Sequence, residues 1–129
     1  MDDAEAYVAF QEGNRLLDTG NAHAATVALE RARALEPEKG SIRETLARAY
    51  FRTGRFAAAE DEFRATLELD PVNDYAHFGV GLCRLRVGDR LTARRHLRLA
   101  TAMRPDNDDY RAALAQTGVD PGPGPSTLR

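Results

Sequence analysis

Apolar residues recur three and four positions apart in blocks of about a dozen, and glycine or proline closes each block, so the pattern predicts helices throughout. Met1 to Asp18 reads as a first helix, with Ala6, Val8, Ala9, Gly13, Leu16 and Leu17 on one face. Asp2, Asp3 and Glu5 stand where the helix dipole favours negative charge. Thr19 and Gly20 end it, Asn21 is expected to cap a second helix running to about Leu35, and Pro37 follows as a stop. Ser41, Ile42, Arg43 and Glu44 read as a capping box opening a further pair of helices, about Ser41 to Arg52 and Arg55 to Leu69. There Leu46, Tyr50 and Phe51 are expected to face Phe56, Phe63 and Leu67. Asp74 to Pro105 repeats the arrangement with Val80, Leu82, Leu85, Leu91, Leu97 and Leu99 as its apolar set. Asp106 and Asn107 then cap a last helix, about Asp108 to Gln116, ended by Gly118, whose polar outer face shields the final apolar surface. Val119 to Arg129, with Pro121, Pro123 and Pro125 among glycines, is expected to be a disordered tail whose deletion leaves the melting temperature nearly unchanged.

These blocks are copies of one plan. Gly20, Gly54 and Gly88 are each 34 residues apart, and so are Ala25, Ala59 and Ala93, and Pro37, Pro71 and Pro105. A fixed period of this size marks a repeat architecture, in which stacking of neighbours completes a core that no single unit can bury. The expected organisation is one domain over residues 1–118, with repeats at about 6–39, 40–73 and 74–107, a capping helix at 108–117 and the tail at 119–129.

Within the period the middle unit places Leu46 and Ala47, Tyr50, Ala59, Phe63 and Pro71; the first places Gly13, Leu16, Ala25, Leu29 and Pro37; the third places Val80 and Gly81, Ala93, Leu97 and Pro105. This resembles the tetratricopeptide repeat, with its W-x2-L-G-x2-Y, A-x3-F and P pattern. The bulky first position is Ala9, Arg43 and His77 here, and the tyrosine position of the third unit is Arg84, whose guanidinium is expected to reach water or Asp108 or Asp109. The resemblance implies an all-α right-handed superhelix, an α-solenoid of three helix-turn-helix repeats plus a terminal helix. It also implies a protein-protein interaction scaffold rather than an enzyme, with the first helix of each repeat lining a concave groove. Counted by the family's groove positions, the candidate contact residues are Tyr7, Phe10 and Asn14; Ser41, Glu44, Thr45 and Arg48; and Tyr75, Phe78 and Leu82. The expected ligand is a peptide or helix of a partner protein carrying apolar and acidic residues. One use of the family is a clamp for the carboxylate tail of heat-shock chaperones, built from two Lys, two Asn and one Arg. Those positions hold Phe10, Asn14, Thr45, Tyr75 and Gly79 here, only the Asn matches, and that ligand is disfavoured.

Charge adds a second theme to an otherwise ordinary soluble composition. The net charge is −2, yet Met1 to Asp74 holds 15 acidic and 9 basic residues, whereas Tyr75 to Arg104 holds 7 Arg against Asp89 alone. Seventeen of the 18 basic residues are Arg, the bias of a GC-rich coding sequence, and a bacterial source is the expectation. Arg90, Arg94 and Arg98, with Arg95 beside them, form a stripe that suits phosphate, but few aromatics interleave with it, and a solvated face is the expected reading. Nucleic acid is therefore an unlikely partner, ranked below self-association through the first helix or the groove. No apolar run is long enough to span a bilayer, and the acidic start lacks the features of a signal peptide, so the expected compartment is the cytoplasm. Cys83 is the one cysteine and falls where the family has a small buried residue, so an inert core thiol is expected. His23, His77 and His96 show no metal-ligand spacing, Phe78 to Gly81 lacks the context of a dinucleotide fingerprint, and no cofactor or metal is expected.

Overall fold

Seven helices and no strand are present among the residues that the computed structural model describes, 2–118, with side chains from Ala4 onward. They are α1 (Asp2–Asp18), α2 (Ala22–Leu35), α3 (Gly40–Arg52), α4 (Phe56–Leu69), α5 (Asp74–Arg86), α6 (Arg90–Met103) and α7 (Asp108–Ala115). Residues 119–129, including the expected Pro/Gly tail, lie outside the described residues. The chain divides into two compact units, one ending at Pro71 and the other starting at Val72. No described helix is long and apolar enough to cross a membrane.

The first unit contains two helical hairpins. α1 pairs with α2, α3 pairs with α4, and α2 also packs on α3. Gly13 allows the first pairing, since a Cβ there would lie 2.5 Å from Leu29 Cγ, which is itself fully buried. Between hairpins, Ala9, Ala32 and Ile42 form a small core on which Phe10 leans. In the second hairpin Leu46, Tyr50 and Phe63 are buried as expected, and Phe51 meets Phe56 edge-on at 5.0 Å. The turns use backbone rather than side-chain caps, which corrects two expectations. The Asn21 side chain accepts no cap bond; its backbone N–H donates to Leu16 O (2.7 Å) as the chain leaves Gly20 at φ +82°. The Ser41 capping box does not form either. α3 starts one residue earlier, at Gly40, and the Lys39 carbonyl accepts from Ile42 N and Arg43 N, so Ser41 is already inside the helix. Val8, expected in the core, is 64% exposed. One period later Ile42 is covered by Ala9 and Ala32, whereas no described residue covers Val8 in this way.

Polar groups also join the hairpins of the first unit. The buried Glu62 carboxylate accepts from Arg33 Nη1 of α2 (2.5 Å) and from Arg43 Nη1 of α3 (3.0 Å). The Tyr50 hydroxyl donates to Glu30 of α2, while the Arg55 guanidinium lies 4.4 Å from the Tyr50 ring centroid. Burial first, and then the Glu30 carboxylate, push the Tyr50 phenol above its ordinary range.

In the second unit α5 pairs with α6, and α7 packs on both. Gly81 repeats the role of Gly13: a Cβ there would lie 2.5 Å from Leu97 Cγ. Ala93, Leu97, Ala113 and Leu114 form the core, with Phe78, Leu82 and Leu85 partly buried against it. Leu91 and Leu99, expected in that core, are 72% and 43% exposed, because the buried stripe of α6 runs through Ala93, Leu97 and Ala100 instead. Here side chains do cap: Asn73, Asp89 and Asn107 accept from the backbone N–H three residues on. The terminal helix ends at Ala115, one residue short of expectation, and Gly118 takes φ +87°. Arg84 reaches Asp89 (3.4 Å), not Asp108 or Asp109, since the α5–α6 turn brings Asp89 beside the end of its own helix. Cys83 is buried and in no disulfide.

Candidate functional site

The first helix of each hairpin has one side turned into the core and another left partly open, and the candidate residues other than Thr45 fall on the open side or at its edge. On α1, Tyr7 is exposed and its hydroxyl accepts from Gln11 Nε2 (2.8 Å). Phe10 lies one turn further on and is half-buried. The two rings line a single hollow of about 160 Å³, shared with Ala6, Ile42, Glu36 and Lys39. The hollow therefore has an apolar floor and one charge of each sign on the connection from α2 to α3. Asn14 turns its amide back onto the Phe10 carbonyl (Nδ2 to O, 3.0 Å), so it braces α1. On α3, Glu44 and Arg48 are half-buried and one turn apart, and Ser41 is exposed. Thr45 is buried, its hydroxyl donating to Ser41 O (2.8 Å), and is no part of the open face.

The candidate residues of the second unit all sit on α5. Phe78 lies between two other rings, 5.9 Å from Tyr75 and 4.7 Å from Tyr110 of α7, and Leu82 packs on the core below it. Phe78 and Leu82 thus serve the attachment of α7 as well as the surface. The same attachment uses the Tyr110 hydroxyl, which donates to Asp74 Oδ2 (2.6 Å). Burial first, and then the Asp74 carboxylate, raise the Tyr110 phenol well above its ordinary range.

The arginine stripe of α6 is interrupted. Arg90, Arg95 and Arg98 are exposed, but Arg94 Nη2 donates to the Thr117 carbonyl (2.5 Å) and fastens the residues after α7. A phosphate-tracking row would need that guanidinium outside.

Two features escaped the sequence reading. Lys39 and Glu36 join the hollow because the connection after α2 passes the open side of α1, which the helical period alone does not reveal. His77 of α5 and His96 of α6 are brought together, with Nδ1 atoms 3.0 Å apart and ring centroids 5.3 Å apart. One ring must donate and the other accept across that contact. A signal was present: one period earlier these positions hold Arg43 and Glu62, which also meet at 3.0 Å. No group of three or more residues that could hold a metal ion occurs among the described residues.

Comparison with known proteins agrees with this architecture. The family model described as Tetratricopeptide repeat matches residues 16–78. Cellulose synthase operon protein C of Komagataeibacter xylinus is 33% identical over 84 residues, which is 64% of this chain but 6% of that protein. Among solved structures, the Arabidopsis OM64 TPR domain has a TM-score of 0.87 at 19% identity, covering 91% of this chain and 97% of that one. The first TPR of Spaghetti (RPAP3) bound to the HSP90 peptide SRMEEVD has a TM-score of 0.84 at 21% identity, covering 89% and 91%. The second TPR domain of human RPAP3 in complex with the HSP70 peptide SGPTIEEVD has a TM-score of 0.85 at 18% identity, covering 92% and 99%. At these identities the likeness shows the fold, an all-α helical repeat of the solenoid class.

Proposed function

Because the chain belongs to the tetratricopeptide repeat family, we propose that it is a protein-interaction module that holds a peptide or short helix of a partner against the open sides of its first helices. The carrying observation is the hollow walled by Tyr7 and Phe10, an apolar floor rimmed by Glu36 and the exposed Lys39. In the first unit Tyr7 and Phe10 accept a large apolar side chain, while Lys39 and Arg48 attract a carboxylate; Asn14 and Glu44 set the polar border. In the second unit Tyr75, Phe78 and Leu82 offer a further apolar contact face. Aromatic and arginine side chains are the usual anchors of such contacts. The preferred ligand carries large apolar residues next to Asp or Glu. The expected affinity for so short a peptide contact is micromolar, about 8 kcal/mol.

Two similar structures hold acidic peptides, which supports a peptide-binding role. The ligand proposed here differs from theirs. Of the clamp positions only Asn14 matches, and one of its two amide N–H donors is turned onto the Phe10 carbonyl. Phe10 and Tyr75 replace charged or amide groups with rings, which favour apolar side chains over a bare carboxylate terminus.

An array of peptides graded in apolar and acidic content tests the proposal, scored against the parent chain and against Phe10→Ala and Arg48→Glu. The expected binders pair Leu, Phe or Met with Asp or Glu. Phe10→Ala should weaken them by about 1–3 kcal/mol, and Arg48→Glu should reject the acidic ones through like-charge repulsion. Binders indifferent to both substitutions would place the contact elsewhere on the protein.

A further inference from the structure

A second and larger recess lies between α1 and α2. It holds about 450 Å³, within the range of ligand pockets, and its lining includes Val8, Ala9 and Ala28 together with Glu5, Glu12 and Arg31. Val8 is 64% exposed at its edge. The 34-residue period shows what this place in the fold is shaped to receive. Val8 stands where Ile42 stands one repeat later, and Ile42 is buried beneath Ala32 of the preceding hairpin's second helix. Ala9 and Ala28 stand where Arg43 and Glu62 stand, and there the preceding hairpin sends Arg33 in to meet Glu62. A helix therefore fills this position in the second repeat. In the first, two alanines replace the ion pair, which leaves room for a bulky apolar side chain and no buried charge for it to meet.

The chain itself carries a helix face of matching chemistry. On α6, Leu91, Arg95, Arg98 and Leu99 fall at i, i+4, i+7 and i+8 and are all exposed. The core does not use these leucines, since its stripe runs through Ala93, Leu97 and Ala100. Charge complements shape: Glu5 and Glu12 edge the recess, paired at the surface with Arg31 (3.0 Å) and Arg15 (2.6 Å), and α6 carries four arginines and no acid to compete for them.

We propose that α6 of a second copy of the chain docks in the α1–α2 recess, with Leu91 and Leu99 over Ala9 and Ala28 and the arginines toward Glu5 and Glu12. The contact is head to tail. The docked copy keeps its own recess open and the first copy keeps its α6 open, so copies add in succession rather than closing as a symmetric pair. Neither Val8 nor the α6 leucines line the Tyr7 hollow, so this surface and the peptide face proposed above stand or fall separately.

Light scattering on a sizing column, repeated across a range of chain concentrations, tests this. The parent chain should gain mass with concentration and pass beyond a dimer, and raised salt should reverse the gain, because charge attraction at an exposed interface is screened. Val8→Arg blocks the recess, and the pair Leu91→Glu with Leu99→Glu blocks α6; each variant should raise the dissociation constant by at least about tenfold. All three positions are exposed, and circular dichroism melts confirm that the fold is kept. Should Val8→Arg melt early, Glu5→Lys with Glu12→Lys reads the same side by charge reversal. The decisive step is mixing. A recess-blocked chain and an α6-blocked chain have one intact recess and one intact α6 between them, so the mixture should form a dimer and stop there. A parent chain that stays monomeric at every concentration overturns the proposal and leaves the recess to a different protein. Variants that assemble like the parent overturn it, and so does a mixture that fails to pair.

Discussion

Replacing Glu62 by Gln should destabilise the first unit by about 2 kcal/mol while leaving its shape unchanged. The carboxylate takes one bond from Arg33 and one from Arg43. Net bonds to charged groups are worth roughly 1.5–3 kcal/mol each, and removing one member of a fully buried ion pair costs about 3–5 kcal/mol. Both figures need reduction, because the carboxylate is buried but the arginines are 31% and 23% exposed, so water takes over part of their solvation. The amide keeps one acceptor oxygen but turns an NH2 donor toward a guanidinium, leaving one arginine without a partner there. A loss of about 2 kcal/mol corresponds to a fall in melting temperature on the order of 6–12 °C in a domain of this size. Thermal and urea melts of Glu62→Gln, Arg33→Ala and the double variant measure both the loss and the coupling. The coupling should be about 1 kcal/mol and should persist at high salt, since a buried partner is weakly screened. A loss under about 0.5 kcal/mol, or a coupling that vanishes in salt, would show that the bridge behaves as a surface pair and does not hold the hairpins together. The triple change of Arg33 and Arg43 to Met with Glu62 to Leu should be far milder than Glu62→Gln, because no charge is left stranded.

Three other outcomes follow from the same contacts. Gly81→Ala should lower stability by about 1–3 kcal/mol, since its Cβ would press on the fully buried Leu97; Gly40→Ala, with nothing within 4 Å of the new Cβ, should not. If melting curves rank these two the other way, the close approach of α5 and α6 is not what Gly81 provides. The phenols of Tyr50 and Tyr110 are raised in the folded chain, so the stability they lend is complete below the ordinary phenol value of about 10 and is lost as pH rises from there through the raised folded values. Melts from neutral to strongly alkaline pH should show that loss, and Tyr50→Phe with Tyr110→Phe should flatten it; an unchanged alkaline fall would place its cause elsewhere. Phe78→Ala should loosen α7, read as faster amide exchange in residues 108–115, because the Phe78 and Tyr110 rings meet at 4.7 Å; unaltered exchange would show that this ring contact does not hold α7.

The ladder of Gly20, Gly54 and Gly88 was legible as helix ends because each needs a positive φ, and they take +82°, +81° and +85°. Hairpin pairing was legible for a related reason: small residues at a fixed offset from bulky ones, Gly13 with Leu29 and Gly81 with Leu97, admit one close packing. The helix starts were less legible. Ser41 and Asn21 are good capping residues, yet the backbone reached its caps through Lys39 and Gly20, and a side chain competes with such turns for only about 1 kcal/mol. The fate of the leucines of α6 was hidden as well. Leu91, Leu97 and Leu99 all fit a helical period, and which of them faces the core depends on where α5 and α7 lie, a tertiary fact that no single-helix pattern contains. For the candidate surface, the period placed Tyr7 and Phe10 on one side of α1, while the polar half of their hollow came from Glu36 and Lys39 on the connection after α2.

The histidine pair shows what a repeat adds to sequence reading beyond local spacing. His77 and His96 are 19 residues apart, a separation that suggests nothing when each is searched for a partner three or four positions away. Shifted by one period they become Arg43 and Glu62, and shifted by two they become Ala9 and Ala28. The hairpin geometry is common to the repeats, so whatever side chains occupy these two positions must face each other: an ion pair in one, two imidazoles in another, and open space in the first. The ladder of small residues dictates that the positions meet, and the free choice of residue there decides what the neighbouring helix must bring. Arg33 brings a charge to Glu62. The two alanines ask instead for a bulky apolar side chain, which is why the recess on the first hairpin, rather than the arginine row on α6 taken alone, points to the chemistry of what docks there.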